Sequence, residues 1–260
     1  MSRERRKVSP RTERAAVALI AMCGRFVTPD EREIENFWQI GRKNWKNPFA
    51  GIREARFNVA PQQGNPQNYI PVIRADADGT LELTDMQWWL LPFWSEVPRI
   101  KYSTFNARVE SVATSSSFLE PFKRRRCLIP ARGWFEWQAL PDGKQPWFFH
   151  AADADLLAFA GIWDEWKRDG TVIESCAIIV GDPDAAVRSV HDRQPFVIAQ
   201  EDQAAWLSPA LTDTDAILEL LRPPPAGAIA FHRVSKAVGN VRNQGPELVR
   251  LEENATQDVG

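Results

Sequence analysis

The chain has 260 residues, of which 44% are apolar and 25% are charged, and its formal net charge is −2. These values are ordinary for a globular protein of one or two domains. The slightly negative net charge excludes a protein whose overall charge attracts nucleic acid, so any nucleic-acid site must be a local basic patch. No apolar run approaches the roughly 20 residues needed to span a bilayer. Three Cys residues without a Cys-x-x-Cys pair, and three His residues without metal-ligand spacing, predict a reducing compartment and no metal site.

The first 21 residues, MSRERRKVSPRTERAAVALIA, form a basic leader with six Lys or Arg and two acidic residues. Without this leader the formal net charge falls to −6, with 26 basic against 32 acidic side chains. Four interpretations are open: a signal peptide with a short apolar stretch, a lipoprotein-type signal ending at Cys23, a disordered basic arm, and an upstream start that leaves Met22 as the true first residue. We favour the last, because patterned sequence begins at Cys23.

The first predicted elements follow directly after Cys23. GRFV at residues 24–27 is typical of a short strand. Thr-Pro-Asp-Glu at residues 28–31 fits a capping box that begins at the Thr, with Pro at the first helical position. Ile34 and Trp38 then follow at helical spacing, so we expect a helix here.

The rest of the chain mixes strand and short-helix patterns. Further strands are predicted at 57–63 (ended by Pro61), in two runs within 69–91 around the Asp78-Gly79 turn, in three runs within 124–150, and at 155–166, 171–181, 196–199 and the start of 228–240. Short helices are predicted at 115–122, 184–190, 201–207 and 213–221, and loops at 41–56 and 91–111.

The predicted strands and helices do not alternate as βαβ units, and the sequence shows no internal repeat. They predict an α+β fold, with a single domain built on an antiparallel, barrel-like β core with peripheral short helices. We expect the domain to span residues 22–250. Residues 1–21 are expected to be a non-native or disordered leader, and residues 251–260 a disordered tail.

Cys23 has special chemistry if it becomes the N-terminal residue. The residue would then carry a free α-amine beside its thiol, as a 1,2-aminothiol. The pKa of an α-amine is about 7.7–8.0, against about 10.4 for Lys, so far more of it is neutral near pH 7.5. A neutral amine can form a Schiff base with an aldehyde, and the thiol can then close a thiazolidine ring. The alternative is a small buried Cys in a first strand.

Two further residues are candidates for proton transfer. Glu136 lies in GWFEW, where aromatic neighbours would desolvate the carboxyl group and raise its pKa. The alternative is an exposed Glu that alternates with inward aromatics, and the pattern does not choose between the two. His191, in VHDRQP, is a candidate proton donor or anion-binding residue, and its alternative is a loop or capping His. His150 and His232 are expected to be structural.

Several basic residues are candidates for phosphate contacts. Asn106 and Arg108 lie in FNARVE, where Asn can orient an amine and Arg can hold a phosphate. The alternatives are a turn Asn and a surface Arg. With Arg25 and Arg193, they predict a local basic groove on an acidic protein. The charge run at residues 123–126 is instead predicted to be a solvated turn before a strand.

Six segments, taken together, resemble the SOS response-associated peptidase (SRAP) family. They occur in the family's order and span most of residues 22–250: MCGRF (22–26), NVAP (58–61), NARVE (106–110), GWFEW (133–137), HDRQP (191–195) and HRVSKAVGNVRN (232–243). The resemblance implies the SRAP fold. It also implies that the Cys after the initiator Met becomes the N-terminal residue.

The resemblance further implies a sensor of abasic sites in single-stranded DNA. Such a sensor links Cys23 to the ring-opened sugar through a thiazolidine and shields the lesion during the DNA damage response. The resemblance implies that Asn106 orients the Cys23 amine, that Glu136 is the general acid/base and helps to release the Met, and that His191 assists ring opening and proton transfer.

The implied DNA contacts are of two kinds. Arg25, Arg108 and Arg193 would hold phosphates around the lesion, and Asn58 and Pro61 would lie against the strand. The resemblance also implies autocatalytic peptidase removal of the first residue and lyase-like chemistry on DNA. The expected protein is a cytoplasmic monomer that uses no cofactor and no metal, and its partner is single-stranded DNA with abasic sites.

Two segments depart from the family's pattern. Val180-Gly181-Asp182 stands where the family usually has a Thr near the lesion, so a sugar or phosphate contact is expected to be missing. Trp94 is followed by Ser95, where the family often has two adjacent Trp residues. One stacking surface is therefore expected to be lost, or moved to Phe93.

Two other functions are consistent with the same residues. One is a cysteine peptidase or N-terminal-nucleophile amidohydrolase that uses Cys23, Glu136 and His191 on peptides. The other is a non-catalytic module that binds single strands reversibly. The abasic-site sensor is favoured because it alone explains why a Cys must follow the Met.

Overall fold

The computed structural model describes residues 23–45, 53–153 and 155–252. The predicted leader, Met22 and the last eight residues of the predicted tail lie outside the described residues. Within these ranges no helix combines the length and the apolar character that a membrane crossing requires.

The described ranges contain thirteen strands and six α-helices. The strands are β1 (Phe26–Thr28), β2 (Arg42–Asn44), β3 (Arg56–Val59), β4 (Tyr69–Ala75), β5 (Leu81–Trp88), β6 (Asn106–Arg108), β7 (Arg126–Ala131), β8 (Gly133–Leu140), β9 (Gly143–Ala151), β10 (Leu157–Arg168), β11 (Thr171–Gly181), β12 (Gln194–Pro195) and β13 (Ile229–Arg233). The α-helices are α1 (Glu31–Trp38), α2 (Val109–Val112), α3 (Leu119–Arg124), α4 (Ala185–Arg188), α5 (Gln203–Leu207) and α6 (Thr214–Leu218). Short 3₁₀ turns lie at Pro66–Asn68, Gln200–Asp202, Lys236–Gly239 and Pro246–Val249.

The strands of the described ranges form two sheets. The smaller sheet has the order β13-β9-β8-β1-β3, and the larger has the order β12-β11-β10-β7-β4-β5-β2, with β6 beside β11. In the larger sheet β5 also pairs with β11, which closes β4, β5, β11, β10 and β7 into a five-stranded barrel. The predicted single α+β domain with a barrel-like core is therefore confirmed. The closing pair is parallel, however, and not antiparallel as predicted.

Alternating side chains of the barrel strands pack into two separate clusters. Cys127 and Ile129 join the cluster that contains Phe26 and Trp134 of the smaller sheet. Leu128, between them, joins the cluster covered by the helices. Full burial of such side chains is worth about 1.5–3 kcal/mol each. Strand β1 is therefore fixed in the core by Phe26, three residues after Cys23.

Helix α1 begins two residues later than predicted. The capping box is formed by Asp30 and Glu33: the Glu33 N–H donates to Asp30 Oδ1 (2.9 Å), and the Asp30 N–H donates to Glu33 Oε2 (2.8 Å). Thr28 instead ends β1, where its hydroxyl accepts a hydrogen bond from the Arg56 N–H (3.1 Å). Thr28, which the local sequence suggested as the helix cap, is therefore paired with β3 instead.

Four further predictions are corrected at element ends. The predicted loop at 41–56 contains β2, and the predicted strand at 196–199 is replaced by β12 at Gln194–Pro195, which pairs with the end of β11. The helix predicted at 115–122 lies later, as α3. The expected tail contains two described residues, and the Glu252 N–H donates to Arg233 O (3.0 Å).

The charge run at 123–126 is not simply a solvated turn. Arg126 is 4% exposed, and its guanidinium donates to five backbone carbonyl groups, those of Phe122, Lys123, Trp206, Ser208 and Leu211. Arg125 pairs with the buried Asp164 (3.0 Å). This end of β7 therefore joins α3 and α5 to the barrel.

Strand β3 lies at one edge of the smaller sheet and is covered by residues 235–244, here called the C-terminal loop. The side-chain amide of Gln244 pairs with β3 much as a strand backbone would. The Phe57 N–H donates to Gln244 Oε1 (3.0 Å), and Gln244 Nε2 donates to Asn58 O (3.2 Å). The edge groups of β3 are thereby satisfied within the chain.

Candidate active site

The pairing of β1 with β8 brings Cys23 and Glu136 together. Phe26 lies opposite Trp134 in this antiparallel pair. Glu136 follows Trp134 by two residues along β8. Because the two strands are antiparallel, it lies beside the residues that precede Phe26, in the chain that leads into β1. Sheet pairing thus joins two predicted site residues that are 113 positions apart in sequence.

The carboxyl group of Glu136 lies between Cys23 and His191. The Cys23 N–H donates to Glu136 Oε1 at 3.0 Å, and His191 Nε2 lies 3.6 Å from Glu136 Oε2. Glu136 is 1% exposed and His191 is 11% exposed at the side chain. Three of the four predicted catalytic residues, Cys23, Glu136 and His191, therefore form one largely buried cluster.

Burial sets the proton affinity of Glu136. Desolvation raises its pKa from 4.5 to about 8, and the nearby Asp192 carboxylate adds to this, while hydrogen bonds from Cys23 oppose it. Of the two alternatives open from sequence, the desolvated carboxyl is confirmed. A carboxyl group with this pKa can both donate and accept a proton near neutral pH.

Cys23 is held in an unusual backbone conformation. Its φ is +33°, a left-handed value that is uncommon for a residue with a side chain. Its thiol lies 3.9 Å from Arg193 O, and burial, followed by the Glu136 charge, raises the pKa of the thiol well above its ordinary value. Asn106 Nδ2 lies 3.5 Å from Cys23 O. Asn106 thus contacts the carbonyl group of Cys23, whereas the nitrogen that it was expected to orient is held by Glu136.

The position of His191 is fixed by the chain around it. Its N–H donates to Val187 O (2.9 Å) at the end of α4, whose first turn is capped by Asp184. The Arg193 N–H lies 3.2 Å from His191 Nδ1. His191 Nδ1 also lies 3.1 Å from Arg193 O, so the Arg193 backbone holds this side of the ring and Nε2 faces Glu136.

The three predicted phosphate-binding arginines have different environments. Arg108 is exposed at the end of β6, with no salt bridge among the described residues. Arg193 pairs with Glu110 and, at 3.4 Å, with Asp182. The Nη1 atom of Arg25 donates to Asn58 Oδ1 (2.8 Å) and Val238 O (3.1 Å), and its Cζ lies 5.7 Å from the centre of the Trp137 ring.

The other two predicted contact residues differ in exposure. Pro61 is half-buried just after β3. Asn58 is 2% exposed, and its amide nitrogen donates to carbonyl groups of the C-terminal loop. The expected contact between these residues and DNA stays a prediction.

A cavity of about 510 Å³ opens beside His191. Its lining residues are Asp182, Pro183, Arg188, Ser189, Val190, His191, Asp192 and Arg193. The cavity adjoins the buried cluster through His191 and through Arg193, whose carbonyl oxygen lies 3.9 Å from the Cys23 thiol.

Sequence reasoning missed the residues that restrain this site. Trp137 lies under Arg25, and Glu110 and Asp182 pair with Arg193. Gln138 Nε2 donates to Ser189 O (3.1 Å) and so ties β8 to the chain before His191. Trp137 and Glu110 stand inside the GWFEW and NARVE motifs, which was a signal available in the sequence. Nothing local indicated Gln138.

The segment with a single Trp presents two exposed rings. Phe93 is 51% exposed and Trp94 is 44% exposed. The Phe93 N–H donates to Asp164 Oδ2 (2.9 Å), and Trp94 Nε1 donates to Ser116 O (3.1 Å). Ser95 is buried, and its carbonyl group accepts from Trp166 Nε1 (2.8 Å). The two rings are therefore exposed on a fixed backbone.

Comparison with known proteins gives consistent matches over most of the chain. The sequence model of the family described as SOS response associated peptidase (SRAP) matches residues 22–241. The abasic site processing protein YoqW of Bacillus subtilis is 33% identical over 232 residues, which cover 88% of this chain and 99% of that protein. The abasic site processing protein YedK of Escherichia coli is 31% identical over the same share of each chain.

Similarity extends to a vertebrate protein and to solved structures. The abasic site processing protein HMCES of Gallus gallus is 33% identical over 241 residues, which cover 80% of this chain and 71% of that protein. A crystal structure of a protein from Bacteroides thetaiotaomicron superposes with a TM-score of 0.71 at 24% identity and covers 87% of this chain and 99% of that one. This structural likeness concerns the fold alone.

Proposed function

Because this chain belongs to the SOS response associated peptidase (SRAP) family, we propose that it senses abasic sites in single-stranded DNA and links to them covalently through Cys23. The observation that carries the proposal is the hydrogen bond from the Cys23 N–H to the buried Glu136 carboxyl group, 3.0 Å long, beside His191. A proton-transfer group thus lies against the atom that must react with the sugar aldehyde.

In the first step the Cys23 amine attacks the aldehyde carbon of the ring-opened sugar. A C–N bond forms, and the aldehyde oxygen takes up one proton from the amine and one from Glu136 and leaves as water, so that a protonated Schiff base remains. Glu136 supplies its proton because burial of the carboxyl group raises its pKa and so favours the protonated form. His191, 3.6 Å from the same carboxyl group, assists ring opening and proton return.

In the second step the thiol of Cys23 adds to the carbon of the Schiff base. A C–S bond forms, the electrons of the C=N double bond move to the nitrogen, and a five-membered thiazolidine ring with a neutral nitrogen closes. Burial raises the pKa of this thiol, so a base must remove its proton. Glu136 is a carboxylate after the first step, and it accepts the thiol proton and is thereby restored. Asn106 holds Cys23 in place through its carbonyl group.

The strand is held by local charge and by exposed rings. Arg25 and Arg108 contact phosphates, and Arg193 exchanges Glu110 for a phosphate when DNA binds. Phe93 and Trp94 offer surfaces on which bases can stack. We place Pro61 against the strand as well. The protein acts as a monomer in the cytoplasm, and its working domain spans residues 22–250.

The mechanism requires that Cys23 become the N-terminal residue. The same site can release the residue before it. Water adds to the Met22 carbonyl carbon, the C–N bond breaks, and Glu136 donates a proton to the departing Cys23 nitrogen, which lies 3.0 Å away. Translation from Met22 followed by this step yields the free amine, and residues 1–21 have no part in the reaction.

The test is intact mass spectrometry after mixing the protein with single-stranded DNA that carries one abasic site. We expect a protein mass that begins at Cys23 and a one-to-one DNA adduct that survives denaturation. Cys23→Ala should abolish the adduct. Cys127→Ala, which removes a buried internal thiol, should retain it.

A chain that begins at Cys23 and still forms no adduct would overturn the covalent mechanism. Reversible binding without preference for abasic DNA would then favour the single-strand binding module. Turnover of peptides without DNA, lost in Cys23→Ala, would instead favour the peptidase.

A further inference from the structure

Asn58 joins two segments that are far apart in sequence. Its Oδ1 accepts a hydrogen bond from Arg25 Nη1 (2.8 Å). Its Nδ2 donates to three carbonyl groups of the C-terminal loop, those of Val238 (3.0 Å), Asn240 (2.9 Å) and Asn243 (3.3 Å). The side chain is 2% exposed, and its two Nδ2 hydrogens are shared among the three carbonyl groups while its Oδ1 holds Arg25. Asn58 is therefore placed to hold Arg25 and not to touch DNA.

The arrangement leaves one side of the Arg25 guanidinium available. Both hydrogens of Nη1 are used, by Asn58 Oδ1 and by Val238 O. Within the part of the chain that the structure describes, Nε and Nη2 have no acceptor. These atoms form the fork that matches two oxygens of a phosphate. Burial lowers the pKa of Arg25, but an arginine stays charged at neutral pH.

Trp137 restrains the same guanidinium from another direction. The Arg25 Cζ lies 5.7 Å from the centre of the Trp137 ring. Arg25 is therefore held by an amide oxygen, a backbone carbonyl group and an aromatic ring before any ligand arrives. A side chain fixed in this way loses less freedom when it binds than a mobile surface arginine does.

We propose that Asn58 is a positioning residue, which clamps Arg25 against the C-terminal loop so that its Nε and Nη2 atoms bind one phosphate of the single strand. The proposal rests on the proposed function, since it names a residue that acts through Arg25 in DNA binding. It also gives a role to the C-terminal segment HRVSKAVGNVRN, which the covalent chemistry does not use.

The test measures reversible binding of an undamaged single-stranded oligonucleotide by fluorescence anisotropy at several salt concentrations. Loss of one phosphate contact should flatten the slope of log K against log salt by roughly 0.7 for a single strand. We expect this change for Arg25→Ala and for Asn58→Ala, with affinity about three- to tenfold weaker at low salt. The double variant should bind no more weakly than Arg25→Ala alone, because Asn58 acts through Arg25.

Gln244→Ala is the matched control. Gln244 ties the same loop to the same strand but does not contact Arg25. It should lower the melting temperature and leave the salt slope unchanged. Additive losses in the Asn58→Ala, Arg25→Ala double variant would overturn the proposal. An equal loss of slope in Gln244→Ala would also overturn it, because the effect would then come from loosening the loop.

A measurement on the unaltered protein covers the case in which Asn58→Ala does not fold. Nitrogen-15 spectra should show the Arg25 Nη1 and Nη2 groups as separate signals in slow exchange, and rapid averaging of the two would contradict the clamp. A wild-type protein that binds no single strand at all would overturn the proposed function as well. A wild-type protein that binds DNA and forms the abasic adduct, with no coupling between Asn58 and Arg25, would overturn this inference alone.

Discussion

Glu136 is the residue on which the proton chemistry of the site depends. Its carboxyl group contacts the Cys23 nitrogen and faces His191, and burial gives it a pKa of about 8. The same burial makes its ionisation costly to the fold. Its titration should therefore be visible in stability as well as in activity.

The first prediction concerns Glu136→Gln and pH. The folded state keeps a proton on Glu136 that the unfolded chain releases above about pH 4.5. The stability contributed by this proton is complete below that pH and is lost as pH rises through about 8. From pH 6 to pH 9, the free energy of unfolding should fall more in the wild type than in Glu136→Gln, by on the order of a few kcal/mol. Denaturant titrations at both pH values measure this, and parallel curves would contradict it.

The second prediction concerns Arg193 and its acidic partner. Glu110 pairs with Arg193, and Arg193 holds the pKa of Glu110 below its ordinary value despite some desolvation. Glu110→Gln should leave Asp182 as the salt-bridge partner of Arg193 and should tighten binding of undamaged single-stranded DNA about two- to fivefold at low salt. Anisotropy titrations measure the change. Glu120→Gln, which removes an equal charge from α3, is the control, and an equal gain there would show that only net charge matters.

At the scale of single residues, the sequence predicted the reactive residues better than the residues that fix their positions. The aromatic neighbours of Glu136 are adjacent in sequence, so its burial could be anticipated. Asn58 was expected to lie against DNA, but its partner Val238 is 180 positions away and its buried role depends on the fold. The pairing of Arg193 with Asp182 likewise depends on two segments that only the sheet brings together.

At the scale of elements, close approaches fix the strands that carry the site. Gly133 begins β8 where it meets Phe148 and Phe149 of β9. A Cβ atom at Gly133 would lie 2.2 Å from Phe149 O and 2.5 Å from the Phe148 ring. The Gly at the start of GWFEW is therefore required for packing of the strand that presents Glu136.

The third prediction is that Gly133→Ala destabilises the protein by about 3 kcal/mol or more, because backbone atoms must move to relieve the clash. Gly41→Ala is the matched control, since a Cβ there has no neighbour within 4 Å. It should change the free energy of unfolding by less than about 0.5 kcal/mol. Chemical denaturation compares the two, and equal stabilities would contradict the packing argument.

The fourth prediction concerns the buried Arg126. Burial lowers its pKa to about 10, yet its five carbonyl acceptors keep it bound between β7, α3 and α5. Arg126→Met should lower the free energy of unfolding by about 3–5 kcal/mol, since several carbonyl groups lose their donor in a buried site. Arg124→Met, on a 63% exposed side chain, should have little effect. Thermal and denaturant unfolding measure both variants.

Long strands were predictable and short ones were not. The β4–β5 hairpin forms around the Asp78-Gly79 turn as predicted. The strands predicted at 155–166 and 171–181 form as β10 and β11, and their pairing as a hairpin is an addition from the structure. Strands β2 and β12 have only three and two residues, which are too few to show the alternation of apolar and polar side chains that predicts a strand. The parallel closure between β5 and β11 also leaves no local signal, because it joins Gln87 to Ser175.

At the scale of the whole molecule, the net charge of −2 means that DNA attraction must be local. The proposed basic groups are few and come from separate elements: β6, the chain before β1, and the chain before β12. The fold brings the Arg193 carbonyl oxygen within 3.9 Å of the Cys23 thiol and pairs Arg108 with Val180 of β11. The net charge predicted that any basic patch would be local, but the positions of these residues in the fold could not be read from composition.

The fifth prediction follows from this distribution of charge. If the three arginines proposed to bind phosphates each contact one, the slope of log K against log salt should be about −2 for single-stranded DNA. Binding of undamaged oligonucleotides between about 50 and 200 mM salt measures it. A slope steeper than about −5 would indicate a broad basic surface and would contradict the assignment. Arg168→Ala, at the far end of β10, is the control and should leave the slope unchanged.

The distant partners of Cys23 have a consequence for the order of events during synthesis. Glu136 and Arg193 follow Cys23 by 113 and 170 positions, so at about 5–20 residues per second the ribosome supplies them on the order of ten seconds later. An amine exposed from the outset would meet metabolic aldehydes throughout that interval. If release of Met22 depends on Glu136, the amine is unmasked only after the sheets have closed. Release of Met22 would then depend on folding, because only a completed and folded chain would acquire the reactive Cys23 amine.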